Sequence, residues 1–145
     1  MRHMTATPTT ATPTVLTEAL RREGVTDART DALTIGMYAT DAGIYRVPPR
    51  AVVFPRHTDE IAATLSVARE LGVPVTTRGA GTSCAGNAVG PGIVIDTARH
   101  LGRVLDVDRD SATALVEAGT VHATLQARAR EIGLRFGPDP SSHSR

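Results

Sequence analysis

Val75-Thr76-Thr77-Arg78-Gly79-Ala80-Gly81-Thr82-Ser83-Cys84-Ala85-Gly86-Asn87-Ala88-Val89-Gly90-Pro91 runs from a β-prone stretch straight into a glycine-rich loop. Gly79 to Pro91 has no periodic apolar pattern, and loops this long inside a compact domain usually carry function. Two familiar phosphate motifs fail here. A Walker loop needs a lysine after its second glycine. Gly81 and Gly86 have the spacing, but Asn87 follows and the chain contains no lysine. A dinucleotide fingerprint needs a third glycine that opens a helix. Cys84 stands at that position, and Gly86, Gly90, Pro91 and Gly92 prevent a helix. The remaining anion-binding reading is a backbone nest. Gly79 and Gly81 permit positive φ, so that peptide N–H groups converge, while Thr82 and Ser83 add hydroxyls. Taken alone, these residues leave that nest and a plain strand connector both open.

Upstream, Ala51 to Phe54 is an apolar run closed by Pro55, a strand. Thr58-Asp59-Glu60 reads as a cap followed by first-turn acids. Ile61, Leu65 and Ala68 lie at helical spacing, and Gly72 and Pro74 stop the helix. Further back, Thr12-Pro13 predicts the start of a helix through Leu20 that stops at Gly24. A short helix is expected over Ala28 to Leu33, and a loop from Gly36 to Pro49. Downstream, Gly92 to Asp96, Arg103 to Val107 and Ala112 to Ala118 read as strands, the last two forming a hairpin about Arg109-Asp110-Ser111. Thr120 is the expected cap of a helix burying Val121, Leu125 and Ile132, and Gly133 its stop. A strand over Leu134 to Phe136 and a rigid loop, Gly137 to Ser142, complete the pattern. A crossover combined with a hairpin argues for an α+β fold. The expected organisation is a disordered lead-in at 1–14, a helical segment and loop at 15–50, and a partial ligand-binding domain at 51–145.

Composition narrows the function. With 145 residues, 41% hydrophobic and 21% charged, the chain can bury a core of its own. A net charge of +1 and 3% aromatics give no case for nucleic acid or an anionic membrane. No apolar stretch approaches a membrane span, and the first residues lack a signal-peptide core. The single cysteine, Cys84, cannot form an internal disulfide or a metal site alone, so a cytoplasmic setting is expected. His57, His100, His122 and His143 show no metal-ligand spacing; His143 stands out only because it lies in the second loop.

Arg78 to Ser83, followed by Ala85-Gly86-Asn87-Ala88-Val89, resembles the FAD pyrophosphate loop of the FAD-linked oxidase family, the vanillyl-alcohol oxidase or p-cresol methylhydroxylase type. The resemblance runs in register over about residues 35 to 145. Ala51 to Pro55 with Thr58 to Ile61 resembles the family's first strand and helix. Ile93 to Asp96 and Val104 to Asp108 look like its next hairpin region, and Val116-Glu117-Ala118-Gly119 like a turn before its next helix. Gly137-Pro138-Asp139-Pro140-Ser141-Ser142 looks like its second flavin-binding loop. Tyr38-Ala39-Thr40-Asp41-Ala42 resembles the segment preceding the domain in the D-lactate dehydrogenase and glycolate oxidase D-subunit branch.

The resemblance implies an α+β FAD-binding domain, of which this sequence holds the first subdomain and the start of the second, truncated on its C-terminal side. It implies non-covalent FAD, because Thr82 stands where some relatives carry the histidine that bonds the flavin. It implies cofactor binding by Arg78, Gly79, Ala80, Gly81, Thr82, Ser83, Gly86 and Asn87, a backbone approach at Gly119, and a flavin-facing wall beginning with Pro138, Asp139 and Ser141. Arg78 either helps neutralise the diphosphate or pairs with an acid such as Asp96. The implied reaction moves hydride from a 2-hydroxy acid, such as D-lactate or glycolate, to the flavin. The substrate-gripping groups belong to a C-terminal cap domain absent from this sequence, so no catalytic residue is expected in it. The alternatives are a non-catalytic FAD-binding remnant and half of a split flavoenzyme with another substrate, such as an enolpyruvyl sugar. Three or four amide bonds to a charged group, at roughly 1.5–3 kcal/mol each, give about 5–12 kcal/mol gross. Association costs about 4–15 kcal/mol. The loop by itself therefore roughly breaks even.

Overall fold

The computed structural model describes residues 11–145. Positions 1–10 of the expected lead-in lie outside the described residues; Pro13 and Thr14, expected within it, are the first residues of a helix. That helix, α1 (Pro13–Arg22), starts as its sequence predicts, with the Thr12 side chain accepting from the Val15 N–H and proline in the first turn. β1 (Ala28–Arg29), α2 (Ala32–Tyr38), β2 (Ala51–Val53), α3 (Thr58–Glu70), β3 (Val75–Arg78) and β4 (Ile93–Asp96) follow. The chain then forms β5 (Val104–Asp108), β6 (Thr113–Val116) and α4 (His122–Glu131).

Four strands form one sheet in the order β1-β2-β4-β3. β4 is parallel to both β2 and β3, while β1 joins β2 antiparallel at the edge. All four residues of β4 are buried, as expected for a central strand covered on both faces. Side chains of successive strand residues point to opposite faces. Ala51, Val53, Ile93 and Ile95 therefore pack beneath α1 and α3, against Leu16, Leu20, Val67 and Ala68. Val52, Val94 and Phe54 meet Ile35 and Tyr38 on the other side. β5 and β6 form a separate antiparallel hairpin with an irregular register at its Val104/Asp106 end.

Several sequence expectations are corrected. Ala28 to Leu33 is not one helix: Ala28 and Arg29 pair with Val53 and Val52, and the helix begins only at Ala32, capped by Asp31. Gly36 is not in a loop but inside α2, whose Ile35 and Tyr38 cover the sheet. Thr120 is not the cap of α4, because its hydroxyl donates to the Arg103 carbonyl at 3.0 Å; Val121 takes that position, and Gln126 and Ala129 join Leu125 on the buried face. Likewise α3 is preceded by His57, with Thr58 already helical. No strand forms over Leu134 to Phe136. The Gln126 side chain takes a strand partner's place, accepting from the Phe136 N–H at 3.2 Å and donating to its carbonyl at 2.7 Å.

Glu60, on the first turn of α3, ties the helix to the chain on either side. Its carboxylate accepts from the Thr26 N–H at 3.1 Å, the Thr26 hydroxyl at 2.6 Å and the Arg56 N–H at 2.6 Å. Burial opposes the charge, but these bonds and His57 outweigh it and hold the carboxyl below its ordinary 4.5. Glu60→Ala strands those donors and is expected to cost about 2–4 kcal/mol in urea unfolding at neutral pH. A folded value below the unfolded one means the stabilisation is complete above about pH 4.5 and is lost as pH falls through the depressed value. The gap between wild type and variant is therefore expected to close over that acidic window.

Candidate anion-binding loop

β3 and β4 run in parallel, so the chain leaving Arg78 must return the length of the sheet before β4 can begin. Here the return is made by loop alone, Gly79 to Gly92. Within it the left-handed backbone is used at Gly81, with φ +69°, and at Gly86, with φ +78°. Gly79, expected to share that role with Gly81, stays outside the positive-φ region.

Among the described residues, no protein acceptor takes the N–H of Gly79, Ala80, Gly81, Thr82, Ser83 or Cys84. Buried backbone donors are nearly always paired, so six successive amides left to a partly exposed surface form a donor-rich strip. The Ser83 oxygen accepts from the N–H groups of Ala85 and Asn87, each at 3.2 Å, which tightens the next turn and keeps its own proton for donation. Thr82 is exposed, with no hydrogen bond from its hydroxyl among the described residues.

Arg78 does not pair with Asp96. Its Nη1 donates to the carbonyls of Thr40, at 2.8 Å, and Ala88, at 3.3 Å, and its guanidinium lies 4.8 Å from the Tyr38 ring centre. The group presses against Gly81, where a Cβ would stand 2.4 Å from Nη2. Asp96 is engaged elsewhere, accepting from the Tyr38 hydroxyl and, at 3.1 Å, from the Arg99 N–H. Burial and the bond to Asp96 push the Tyr38 hydroxyl up, so it stays protonated and donates. A positive charge without a carboxylate partner therefore sits directly behind the loop.

Of the other expected site residues, Gly86 and Asn87 follow the strip in the same loop, and Gly119, Pro138, Asp139 and Ser141 belong to later segments. Gly86 lies beneath the Tyr45 ring, and Asn87 is exposed. Gly119 is pressed against the Thr97–Ala98 backbone, and its N–H donates to the Leu101 carbonyl at 2.8 Å. Pro138, Asp139 and Ser141 are exposed in a segment pinned to the start of α4. There the Pro138 carbonyl meets His122 Nε2 at 2.9 Å, and the Ala123 N–H donates to the His143 carbonyl at 2.8 Å. A cavity of about 360 Å³ opens beside it, between His122, Gln126, Arg130, Arg135, Asp139 and His143. Among the described residues, no hydrogen bond or ion pair joins 137–143 to 78–87. Sequence reasoning gave Thr40, Asp41 and Tyr45 no part in the site, although all three touch the loop. In the sequence, the Asp41-Ala42-Gly43 turn pattern and the resemblance over Tyr38 to Ala42 mark this segment but not its contact with the loop. Among the described residues, no group of three or more His, Cys, Asp or Glu gathers to hold a metal, and no helix is long and apolar enough to cross a membrane.

A family model described as "FAD binding domain" matches residues 49–145. A D-2-hydroxyglutarate dehydrogenase of Pantoea ananatis is 34% identical over 132 residues, covering 88% of this chain. Glycolate oxidase subunit GlcD of Bacillus subtilis is 35% identical over 99 residues, covering 68% of this chain. The chain spans 13% of the first relative's length and 21% of the second's. A solved alkyldihydroxyacetonephosphate synthase superposes with a TM-score of 0.74 at 20% identity, over 88% of this chain and 27% of that one, so the two share a fold.

Proposed function

Because this chain belongs to the FAD binding domain family, we propose that its 78–83 loop holds the diphosphate of non-covalently bound FAD in an oxidoreductase acting on a 2-hydroxy acid. The observation that carries this reading is the row of amides from Gly79 to Cys84 that no protein acceptor among the described residues uses. A diphosphate needs several donors and no side chain in the way; the 79–84 amides offer the donors, and Gly81, at φ +69°, leaves out the side chain. Arg78 adds positive charge through the gap that a Cβ at Gly81 would fill. The Thr82 and Ser83 hydroxyls flank the strip, and Thr82 offers no imidazole for a covalent bond. Pro138, Asp139 and Ser141 begin the wall facing the flavin.

FAD, when bound, supplies the hydride acceptor, while the chain supplies grip, orientation and electrostatics. The two relatives are named for D-2-hydroxyglutarate and glycolate, both 2-hydroxy acids, which supports that substrate class. The groups that grip and deprotonate the acid belong to a cap domain outside this sequence. The single cysteine fits a reducing, cytoplasmic setting.

The test is an amide-resolved NMR titration of the 145-residue chain. ADP is expected to shift the resonances of residues 79–84, adenosine to leave them in place, and FAD to bind with Kd above about 10 μM, since the loop nearly breaks even against the cost of association. Shifts confined to other parts of the chain, or none with millimolar ADP, would overturn the assignment.

A further inference from the structure

A loop rich in glycine loses more backbone freedom on ordering than any other, so something must hold this one in shape. Among the described residues, the hydrogen bonds that reach residues 79–88 from outside the loop come from Arg78 and from a single upstream segment. Arg78 Nη1 donates to the Thr40 carbonyl at 2.8 Å, and the Ala42 N–H donates to the Gly81 carbonyl at 3.1 Å. The Asp41 carboxylate accepts from the Gly43 N–H at 2.8 Å with one oxygen and from the Ala88 N–H at 3.4 Å with the other. Gly43 lies against the Cys84 carbonyl, where a Cβ would stand 2.8 Å from the oxygen, and the Tyr45 ring lies on Gly86. The segment closes on itself through a Thr40–Arg46 bridge and a 2.7 Å bond from the Val47 N–H to the Ala39 carbonyl. It is a clip, and it lies ahead of the residues that the family model matches.

The clip also decides where one of the loop donors points. In a trans peptide the C=O and the following N–H point in opposite directions. With the Gly81 carbonyl drawn to Ala42, the N–H of Thr82 is turned away from the clip, on an exposed residue. We propose that residues 38–45 are the positioning element of the diphosphate loop and that Asp41 is its positioning residue, fixing both its own turn and the far limb of the loop at Ala88. This rests on the FAD-diphosphate reading above.

The sign of one substitution separates positioning from simple charge. Asp41 is an anion near a site for an anion, so its removal by electrostatics alone would tighten diphosphate binding. Positioning demands the reverse. In the 145-residue chain, Asp41→Ala is expected to weaken ADP binding at least about tenfold, equivalent to about 1.4 kcal/mol, while the amide resonances of β2, β3 and β4 stay in place. Asp41→Asn keeps the volume and one acceptor. It is expected to shift affinity in the same direction by less, and it carries the test if Asp41→Ala does not fold. Binding that is unchanged or tighter in the folded variant, with normal 79–84 shifts in wild type, overturns the positioning role and leaves the diphosphate site standing. Absence of those shifts in wild type overturns the site itself.

Discussion

Gly81→Val is expected to reduce the affinity for ADP or FAD at least about a hundredfold while the sheet remains folded, a loss of roughly 2.7 kcal/mol. Two independent costs add. The residue sits at φ +69°, where a β-branched side chain is strained by about 1–3 kcal/mol. Its Cβ would also meet the Arg78 guanidinium, at 2.4 Å from Nη2, 2.7 Å from Cζ and 2.8 Å from Nε. A free arginine end would swing away cheaply, but this one is held by the Thr40 and Ala88 carbonyls and the Tyr38 ring. Moving it breaks those bonds and removes the charge behind the loop. Gly81→Ala is expected to act in the same direction with a smaller loss. The measurement is the ADP titration of residues 79–84, with the β4 resonances reporting the fold. Wild-type affinity in a folded Gly81→Val chain would show that neither the left-handed turn nor the charge behind it matters to binding.

The difference between what sequence reading reached and what it missed is one of contact range. β2, α3, β3 and β4 were legible because each is a local pattern: an apolar run, a helical repeat, or a glycine stop. Gly24, Gly72 and Gly133, read as helix stops, adopt φ of +88°, +62° and +75°. Ala28–Arg29 was illegible because a two-residue edge strand has no period of its own and exists by pairing with Val52 and Val53. Gly36 misled because local propensity argues for a loop, whereas the gain from covering Val52, Val94 and Phe54 comes from tertiary packing. The site divides in the same way. Its glycines and hydroxyls are adjacent in sequence and could be read directly. Its braces are remote, with Arg78 reaching Thr40 across 38 positions and Ala88 reaching Asp41 across 47. Asp96 was a reasonable partner for Arg78 by charge, but the Tyr38 hydroxyl occupies it.

Gly119 presents the sharpest choice between cofactor contact and packing, and the expectation is that Gly119→Ala acts first on stability. The backbone there is not in the left-handed region, so conformational freedom is not at issue. The constraint is proximity: a Cβ would stand 2.1 Å from the Thr97 oxygen, 2.5 Å from its carbonyl carbon and 2.8 Å from the Ala98 Cα. None of these atoms can rotate away as a side chain would. Retreat of Gly119 is opposed by its 2.8 Å bond to the Leu101 carbonyl. Retreat of Thr97 would pull on the Arg78 carbonyl, which accepts from the Thr97 N–H at 2.9 Å. The clash therefore spreads from the hairpin to the end of β3, where the diphosphate loop begins. Overpacking of this severity costs at least about 3 kcal/mol, and for a chain of this size the melting temperature is expected to fall by roughly 10 °C. Gly102→Ala is the built-in control, since a Cβ there meets only the Gly119 oxygen, at an ordinary 3.6 Å, and its melting temperature is expected to stay close to wild type. A direct cofactor-contact role makes the opposite forecast, in which Gly119→Ala melts with wild type and loses only ADP and FAD binding. Thermal unfolding of both variants without ligand, followed by the ADP titration of whichever remains folded, distinguishes the two.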